Sequence, residues 1–337
     1  MSLYFANAPD ELVDDALAGY ALAHADAVRW DERDGFLRVL RPAPARRVGL
    51  VSGGGSGHEP LHLGYVGPGM LDAACPGRVF ASPHNRQVLA AARAVAREDG
   101  VLLLVKNYTG DRINFGIAAE RLAHEGVRCG RVLIDDDLAS QSEDSAAGRR
   151  GTGAAVLVEK ILGAAADEGR GLAELEALGA SVVARCRSLA VASAAHTSPV
   201  TGQPAFALDP GTLEYGVGIH GERARRTVST RSLRDLAEEM VGSLGDALGL
   251  GATSRPIVLV NGLGGVTRLE LYAVLREVAR LLDKRGAAPA RTLVGDFVTA
   301  LDMRGFSVTL LDADDETLRL YDAPAAAPAW PGHTGPP

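Results

Sequence analysis

A chain of 337 residues, 47% hydrophobic and 23% charged, has the length for two domains and the composition of an ordinary globular protein. Its net charge of −7 argues against a surface built mainly for nucleic acid, and three widely spaced cysteines (Cys75, Cys129, Cys186) argue against a disulfide framework or a cysteine-built zinc site. No apolar run reaches membrane-spanning length, and the opening "MSLYFANAPDELVDD" lacks a basic n-region and an apolar h-region, so a cytoplasmic protein without membrane contact is expected.

In chain order, an amphipathic opening from Leu12 to His24 leads to "RRVGLVSGGG", a short apolar strand ending in glycines. A helical pattern covers 85–98. "GVLLLVKNYTGD" at 100–111 is a second buried strand running into a polar turn, followed by a helix over 113–125. "GRVLIDDDL" at 130–138 is a third strand, with a helix over 153–168. Strands alternating with helices predict a parallel sheet wrapped by helices. Sites in such sheets lie beyond the carboxyl ends of the strands, where "SGGGSGH", "KNYTGD" and "DDD" all fall.

Residues 171–196 read as one long helical pattern leading to a second unit, which contains "TLEYGVGIHGER", two further helices and more strand material. The expected fold class is α/β, in two α/β domains. Residues 1–186 form a mainly parallel sheet flanked by helices, 187–325 a smaller two-layer domain, and 326–337 a flexible Pro/Gly tail. No fixed-period repeat is present.

The stretch "SGGGSGHEPLH" at 52–62 overlaps two well-known patterns, and neither fits. A phosphate loop of the Walker type needs a lysine and a hydroxyl residue after its last glycine, whereas His58 and Glu59 stand here; the G-x-G-x-x-G fingerprint fails at its last position. H-E-x-x-H needs both histidines on one helix face and a third zinc ligand, but Pro60 intervenes and no third ligand follows. No metal is expected. Two readings of the loop remain open. One is a small-residue cradle opening a helix, holding a small polar ligand with His58 as acid/base group; the other is a tight turn with a capping histidine.

The motifs taken together carry more. "LVSGGGSGHEPLHLGYVGPGMLDAACPG", "LLLVKNYTGDRINF", "VLIDDDLA", "AGRRGTGAAVLVEKILGAAAD", "EYGVGIHGE" and "ALDMRGFSVTLL" occur in one order. Over about Asn7 to Pro324 they resemble the dihydroxyacetone kinase family, specifically its ketose-binding K subunit. The resemblance implies that His220 bonds covalently to the C2 carbonyl of dihydroxyacetone as a hemiaminal, which glycerol, lacking a carbonyl, cannot form. It implies Asp111 as general base on the reacting hydroxyl and His58 as a second acid/base residue. Lys106 and the Gly55–Ser56–Gly57 backbone match substrate-binding positions. It further implies a homodimer with the site between the two domains, and no cofactor in this chain. ATP or ADP with magnesium would reside on an L-type partner subunit.

Other residues have quieter readings. Consecutive strand residues alternate faces, so Asp135, Asp136 and Asp137 are expected in turn and supporting roles rather than on one metal. Arg149 and Arg150 contact either phosphate, a partner, or only solvent. His62, His84 and His196 are expected to be structural. The sequence departs from the family's pattern in "AAHTSPVTGQPAF", in "GERARR" after His220 (Arg223, Arg225, Arg226) and in "GLGGVTRLELY". These departures leave a larger ketose such as erythrulose, or a ketose-sensing coactivator on the same fold, as alternatives to dihydroxyacetone phosphorylation.

Overall fold

The structure is a computed structural model and describes residues 4–141, 148–224 and 226–331. Helix α1 (Leu12–Ala23) precedes a hairpin of β1 (Val28–Asp31) and β2 (Phe36–Val39). Then come β3 (Gly49–Ser56), β4 (Ala73–Val79), α2 (Asn85–Val95), β5 (Val101–Lys106), α3 (Thr109–His124) and β6 (Cys129–Ile134). These strands form one six-stranded sheet in the order β1-β2-β4-β3-β5-β6, whose β4-β3-β5-β6 portion is parallel.

Two helices, α4 (Ala154–Asp167) and α5 (Leu172–Ala184), lead to the second sheet. It is built from β7 (Cys186–Ala194), β8 (Thr212–Tyr215), β9 (Thr227–Ser229), β10 (Pro256–Gly262), β11 (Arg291–Gly295) and β12 (Arg304–Asp312), in the order β11-β10-β12-β7-β8-β9. Helices α6 (Leu233–Leu248) and α7 (Arg268–Lys284) cover its outer face, and α8 (Asp315–Asp322) follows the last strand. The fold is thus mixed α/β with two sheets flanked by helices. Among the described residues, no helix is long and apolar enough to cross a membrane.

The pleat decides which core each strand residue joins. In β3 and β5, Val51, Leu103 and Val105 point to α2 and α3, while Leu50, Leu102 and Leu104 point to α4 and α5. In β10, Val258 and Val260 meet α6 and α7, while Ile257 and Leu259 share the core of α4. Helix α4 is therefore a common middle layer. Its sequence "AAVLVEKILGAAAD" is apolar nearly all round, the pattern of a helix with no solvent face, and every residue but the last is buried.

Several expectations change. The helix expected at 113–125 begins at Thr109, which places Asp111 in its first turn, and the one expected at 85–98 ends at Val95. The pattern at 171–196 is not one helix: Arg185 closes α5 and "CRSLAVASA" becomes a central strand. A short run of small apolar residues fits either state, and pairing with β8 and β12 on both sides settles it here. The tail expected to be flexible from 326 is anchored as far as Trp330. Ala326 N–H donates to Pro68 O and Ala329 N–H to Gly64 O, each at 2.9 Å, and the Trp330 ring is buried against Tyr321. Residues 332–337 of that expectation lie outside the described residues.

Asp136 ties the layers together. Its buried carboxylate accepts from Thr152 N–H at 2.7 Å, Thr152 Oγ1 at 2.8 Å, Ala154 N–H at 3.0 Å and the Ser188 hydroxyl, which in turn meets Thr309 Oγ1 at 2.7 Å. One side chain thus caps α4 and reaches β7 and β12. Asp136→Ala is expected to cost about 3–5 kcal/mol, because several buried donors lose an acceptor at once. Thermal unfolding should register this as a fall on the order of 5 °C; an unchanged midpoint would show that the network adds nothing to stability.

Candidate functional site

Parallel strands β3 and β5 end side by side, bringing the glycine run next to Lys106 and the first turn of α3. The glycines permit close approach. A Cβ on Gly54 would stand 2.2 Å from Lys106 Nζ, and Gly57 has φ +99°, a left-handed value that disfavours any other residue. Gly55 and Ser56 lie in the strand itself, paired with Gly77 and Val79, rather than in an open loop. The Ser56 hydroxyl donates to Gly77 O at 2.7 Å, and Gly57 N–H donates to Glu59 Oε2 at 2.8 Å. Gly55, Ser56 and Gly57 therefore form a wall whose Ser56 hydroxyl and Gly57 N–H are already committed. No α-helix opens after them: residues 58–62 are turns and Leu63–Tyr65 a single 3-10 turn. The expected helix N-terminus is absent, and with it the helical geometry of a zinc motif.

His58 is fully buried and bridges the two sheets. Its Nδ1 donates to the carbonyl of Thr299, in the segment between β11 and β12, at 2.8 Å. Its Nε2 therefore carries a lone pair, and among the described residues that atom has no hydrogen-bond partner. Burial, with the neighbouring His220 and Lys106, holds its pKa well below the usual imidazole range, so the ring is neutral.

His220 follows β8 in a turn made possible by Gly216 (φ +88°) and Gly221 (φ +79°). Glu222 folds back on it. Glu222 Oε1 accepts from His220 Nδ1 at 2.9 Å and Oε2 from His220 N–H at 3.0 Å. That leaves the lone pair of His220 on Nε2. Burial raises the Glu222 pKa, but the His220 hydrogen bond and charge and the Arg150 guanidinium outweigh it and lower it to about 2. The ring centroids of His58 and His220 are 4.8 Å apart, with Tyr108 4.6 Å and Phe80 5.5 Å from His220. Phe80 has a left-handed φ of +55°, the kind of backbone strain that collects at functional sites.

On the other side lies a chain of buried polar groups. Lys106 Nζ is 3.8 Å from Asp111 Oδ2 and 2.7 Å from His62 Nε2; His62 Nδ1 is 2.5 Å from Glu159 Oε1 and 3.0 Å from Ser52 Oγ. Burial lowers the pKa of Lys106 and of His62, and pushes Glu159 up to about 8. His62, expected to be incidental, thus touches Lys106 directly. Both its ring nitrogens are occupied by Lys106 and Glu159, which leaves none for a metal. Among the described residues, no group of three or more His, Cys, Asp or Glu is placed to hold a metal ion.

The structure brings His58, His220, Lys106 and Asp111 together. Sequence reasoning missed Glu159, Glu222, Tyr108, Phe80 and Thr299. Two of these carried a signal: a glutamate two residues after a histidine in a glycine turn, and a carboxylate in the middle of a largely apolar helix. Asp135 pairs with Arg149 at 2.9 Å and Asp137 with Arg150 at 2.5 Å, so the two arginines are not simply solvated. Arg150 also donates to Gly216 O at 2.9 Å, steadying the His220 turn. His84 caps α2 by accepting from Arg86 N–H, and His196 packs edge-on to Phe80 at 4.7 Å. Arg223 pairs with the buried Glu214 and Arg226 with Glu239; Arg225 lies outside the described residues.

Fold and site together define a two-sheet α/β protein with a polar pocket-former on each half: a histidine pair spanning both sheets, with a lysine and an aspartate at its edge. The Dak1 domain family matches residues 18–329, and the chain belongs to that family, the family of dihydroxyacetone kinases. It is 40% identical over 325 residues to the PTS-dependent dihydroxyacetone kinase 1, dihydroxyacetone-binding subunit DhaK, of Listeria innocua, with 96% of this chain and 98% of that one covered. Among solved structures it is similar to the dihydroxyacetone kinase operon co-activator DhaQ (TM-score 0.89, 33% identity, 95% and 98% covered). It is also similar to the dihydroxyacetone kinase of C. freundii (TM-score 0.87, 35% identity), covering 98% of this chain and 61% of that longer one.

Proposed function

We propose that this chain is the dihydroxyacetone-binding subunit of a kinase and holds the ketose as a hemiaminal on His220. The observation that carries this reading is the His220–Glu222 pair. With Nδ1–H engaged by a carboxylate, the Nε2 lone pair is free to add to an electrophilic carbonyl. As the C–N bond forms, the carbonyl π pair moves to oxygen, which takes a proton with His58 as the exchange group beside it. Glu222 opposes the positive charge growing on the ring. Lys106 donates to a ketose oxygen, and Asp111 accepts the proton of the hydroxymethyl group that receives phosphate. Gly55, Ser56 and Gly57 shape the wall of the site.

The phosphoryl donor, ATP or ADP with magnesium, belongs in this reading to a separate L-type subunit, and the working unit is a cytoplasmic homodimer of this chain with that partner. Similarity to the DhaQ co-activator supports a second reading, a ketose sensor without turnover. The presence of both Asp111 and His58 favours the kinase, since a sensor needs only the covalent histidine and polar donors.

The test is intact-mass and crystallographic detection of adducts after incubation with dihydroxyacetone or with glycerol. Dihydroxyacetone should add one molecule per chain at His220 and glycerol none. Equal occupancy by both polyols would mean that shape rather than carbonyl chemistry selects the ligand. Turnover in the presence of the L-type subunit and donor then separates kinase from sensor.

A further inference from the structure

We propose that Lys106, His62 and Glu159 form a proton relay behind the ketose site, which passes a proton to Glu159 and withdraws the ammonium charge from Asp111 as Asp111 takes the proton from the substrate hydroxyl. The inference rests on the reading of His220 and Asp111 above and deepens it.

Geometry carries it. Asp111, Lys106, His62 and Glu159 stand in series at 3.8, 2.7 and 2.5 Å, and all four are buried, at 5%, 1%, 4% and 0% exposure. An ammonium has no lone pair, so when Lys106 is charged it donates to His62 Nε2. The single proton of the neutral ring then sits on Nδ1, directed at Glu159 Oε1. A second arrangement satisfies the same contacts: Glu159 protonated and donating to Nδ1, the ring proton on Nε2, and Lys106 a neutral amine accepting it. Both arrangements hold the same number of protons. Two short transfers interconvert them, Nζ–H to Nε2 and Nδ1–H to Oε1.

The conversion changes what Asp111 faces. The ammonium charge beside it is lost and the Glu159 charge is neutralised, which strengthens Asp111 as a base. The balance closes on the transfer step. The substrate O–H bond breaks and its proton rests on Asp111; the earlier Lys106 proton rests on His62 and the earlier His62 proton on Glu159. The freed oxygen pair forms the bond to phosphorus, and the donor's leaving group keeps the old P–O pair. After product leaves, Asp111 gives up its proton and the two transfers run in reverse.

A purely structural role fits the site poorly. Glu159 stands in the middle of a largely apolar helix, and among the described residues its Oε2 has no hydrogen-bond partner. A buried carboxylate left half-satisfied is costly, and an apolar residue would fill the space better. The raised Glu159 and lowered Lys106 and His62 pKa values bring the three proton affinities toward each other. The other groups facing the relay are Ser52, Tyr65 and His58; Tyr65 is engaged by Phe297 O at 3.0 Å and His58 by Thr299 O at 2.8 Å.

Glu159→Gln in the full chain, assembled with its L-type partner and phosphoryl donor, tests the relay. Glutamine keeps the size of the side chain and an oxygen for Nδ1–H but takes up no proton. The expected result is a kcat lowered roughly 100-fold, a KM for dihydroxyacetone changed by less than about twofold, and an unchanged His220 adduct. Below a pH of about 8 the Glu159 carboxyl already holds its proton and the relay is full, so the wild type should show an acid limb of kcat there, which the variant lacks. An unchanged kcat and acid limb in Glu159→Gln overturn the relay while leaving the hemiaminal reading intact. Nitrogen-15 NMR of the wild-type histidines gives an answer independent of the variant's folding. His62 should carry one ring proton above that limb; a doubly protonated ring overturns the relay. Absence of any adduct on wild-type His220 overturns the functional reading and the relay with it.

Discussion

His220→Ala is expected to abolish the ketose adduct and to lower turnover of dihydroxyacetone by at least about 1,000-fold, since in the proposed reaction the covalent bond is what positions the reacting hydroxyl. The loss should be chemical rather than structural. His220 sits in a turn whose shape is set by Gly216 and Gly221, and Glu222 keeps its bond to the main-chain N–H of residue 220. Thermal stability is expected to move by less than about 1 kcal/mol, as for other partly exposed positions. The variant should also lose discrimination between dihydroxyacetone and glycerol. If it binds dihydroxyacetone as the wild type does, His220 is not the anchor.

Asp111→Asn should give the opposite pattern: a normal adduct with kcat reduced by roughly 100- to 10,000-fold, the range a positioned proton acceptor contributes. Asparagine matches the shape of the side chain and its amide oxygen still faces Lys106, but it takes no proton from the hydroxyl. It also removes a negative charge 3.8 Å from Lys106, one of two carboxylates opposing the effect of burial on that amine, so the Lys106 pKa should fall further. Single-turnover phosphorylation of preformed adduct is the measurement, because it separates proton transfer from ketose capture. Turnover at the wild-type rate would remove Asp111 as base.

Much of this architecture was legible in the sequence. Strands such as "VLLLVK" are apolar runs closed by polar turns, and the parallel-sheet rule put Lys106, Asp111 and the glycine run at the same edge before any contact was known. What stayed hidden has physical reasons. β4 contains Pro76 and Gly77, so nothing local marks "AACPGRV" as a strand; its place is fixed by β3 and β2 on either side. The Glu159–His62 contact joins residues 97 apart through a helix whose position depends on both sheets. His58 and Thr299, 241 residues apart, meet only because the second sheet completes the first half's site. The loop "SGGGSGHEPLH" illustrates both limits. Its failure as a phosphate or zinc motif could be argued from Pro60 and the missing lysine, but the conversion of Gly53–Ser56 into paired strand depended on β4.

The anchoring of Ala326, Ala329 and Trp330 on the first half of the molecule bears on how the protein is made. Gly64 and Pro68 emerge from the ribosome early, yet the backbone donors that cover their carbonyls come more than 250 residues later. An N-terminal unit finished while the rest is still being synthesised would lack these two donors, so the 64–68 segment gains the last of its main-chain partners only once synthesis has passed residue 329. A fusion partner placed after that point therefore needs enough slack to let Trp330 reach its seat.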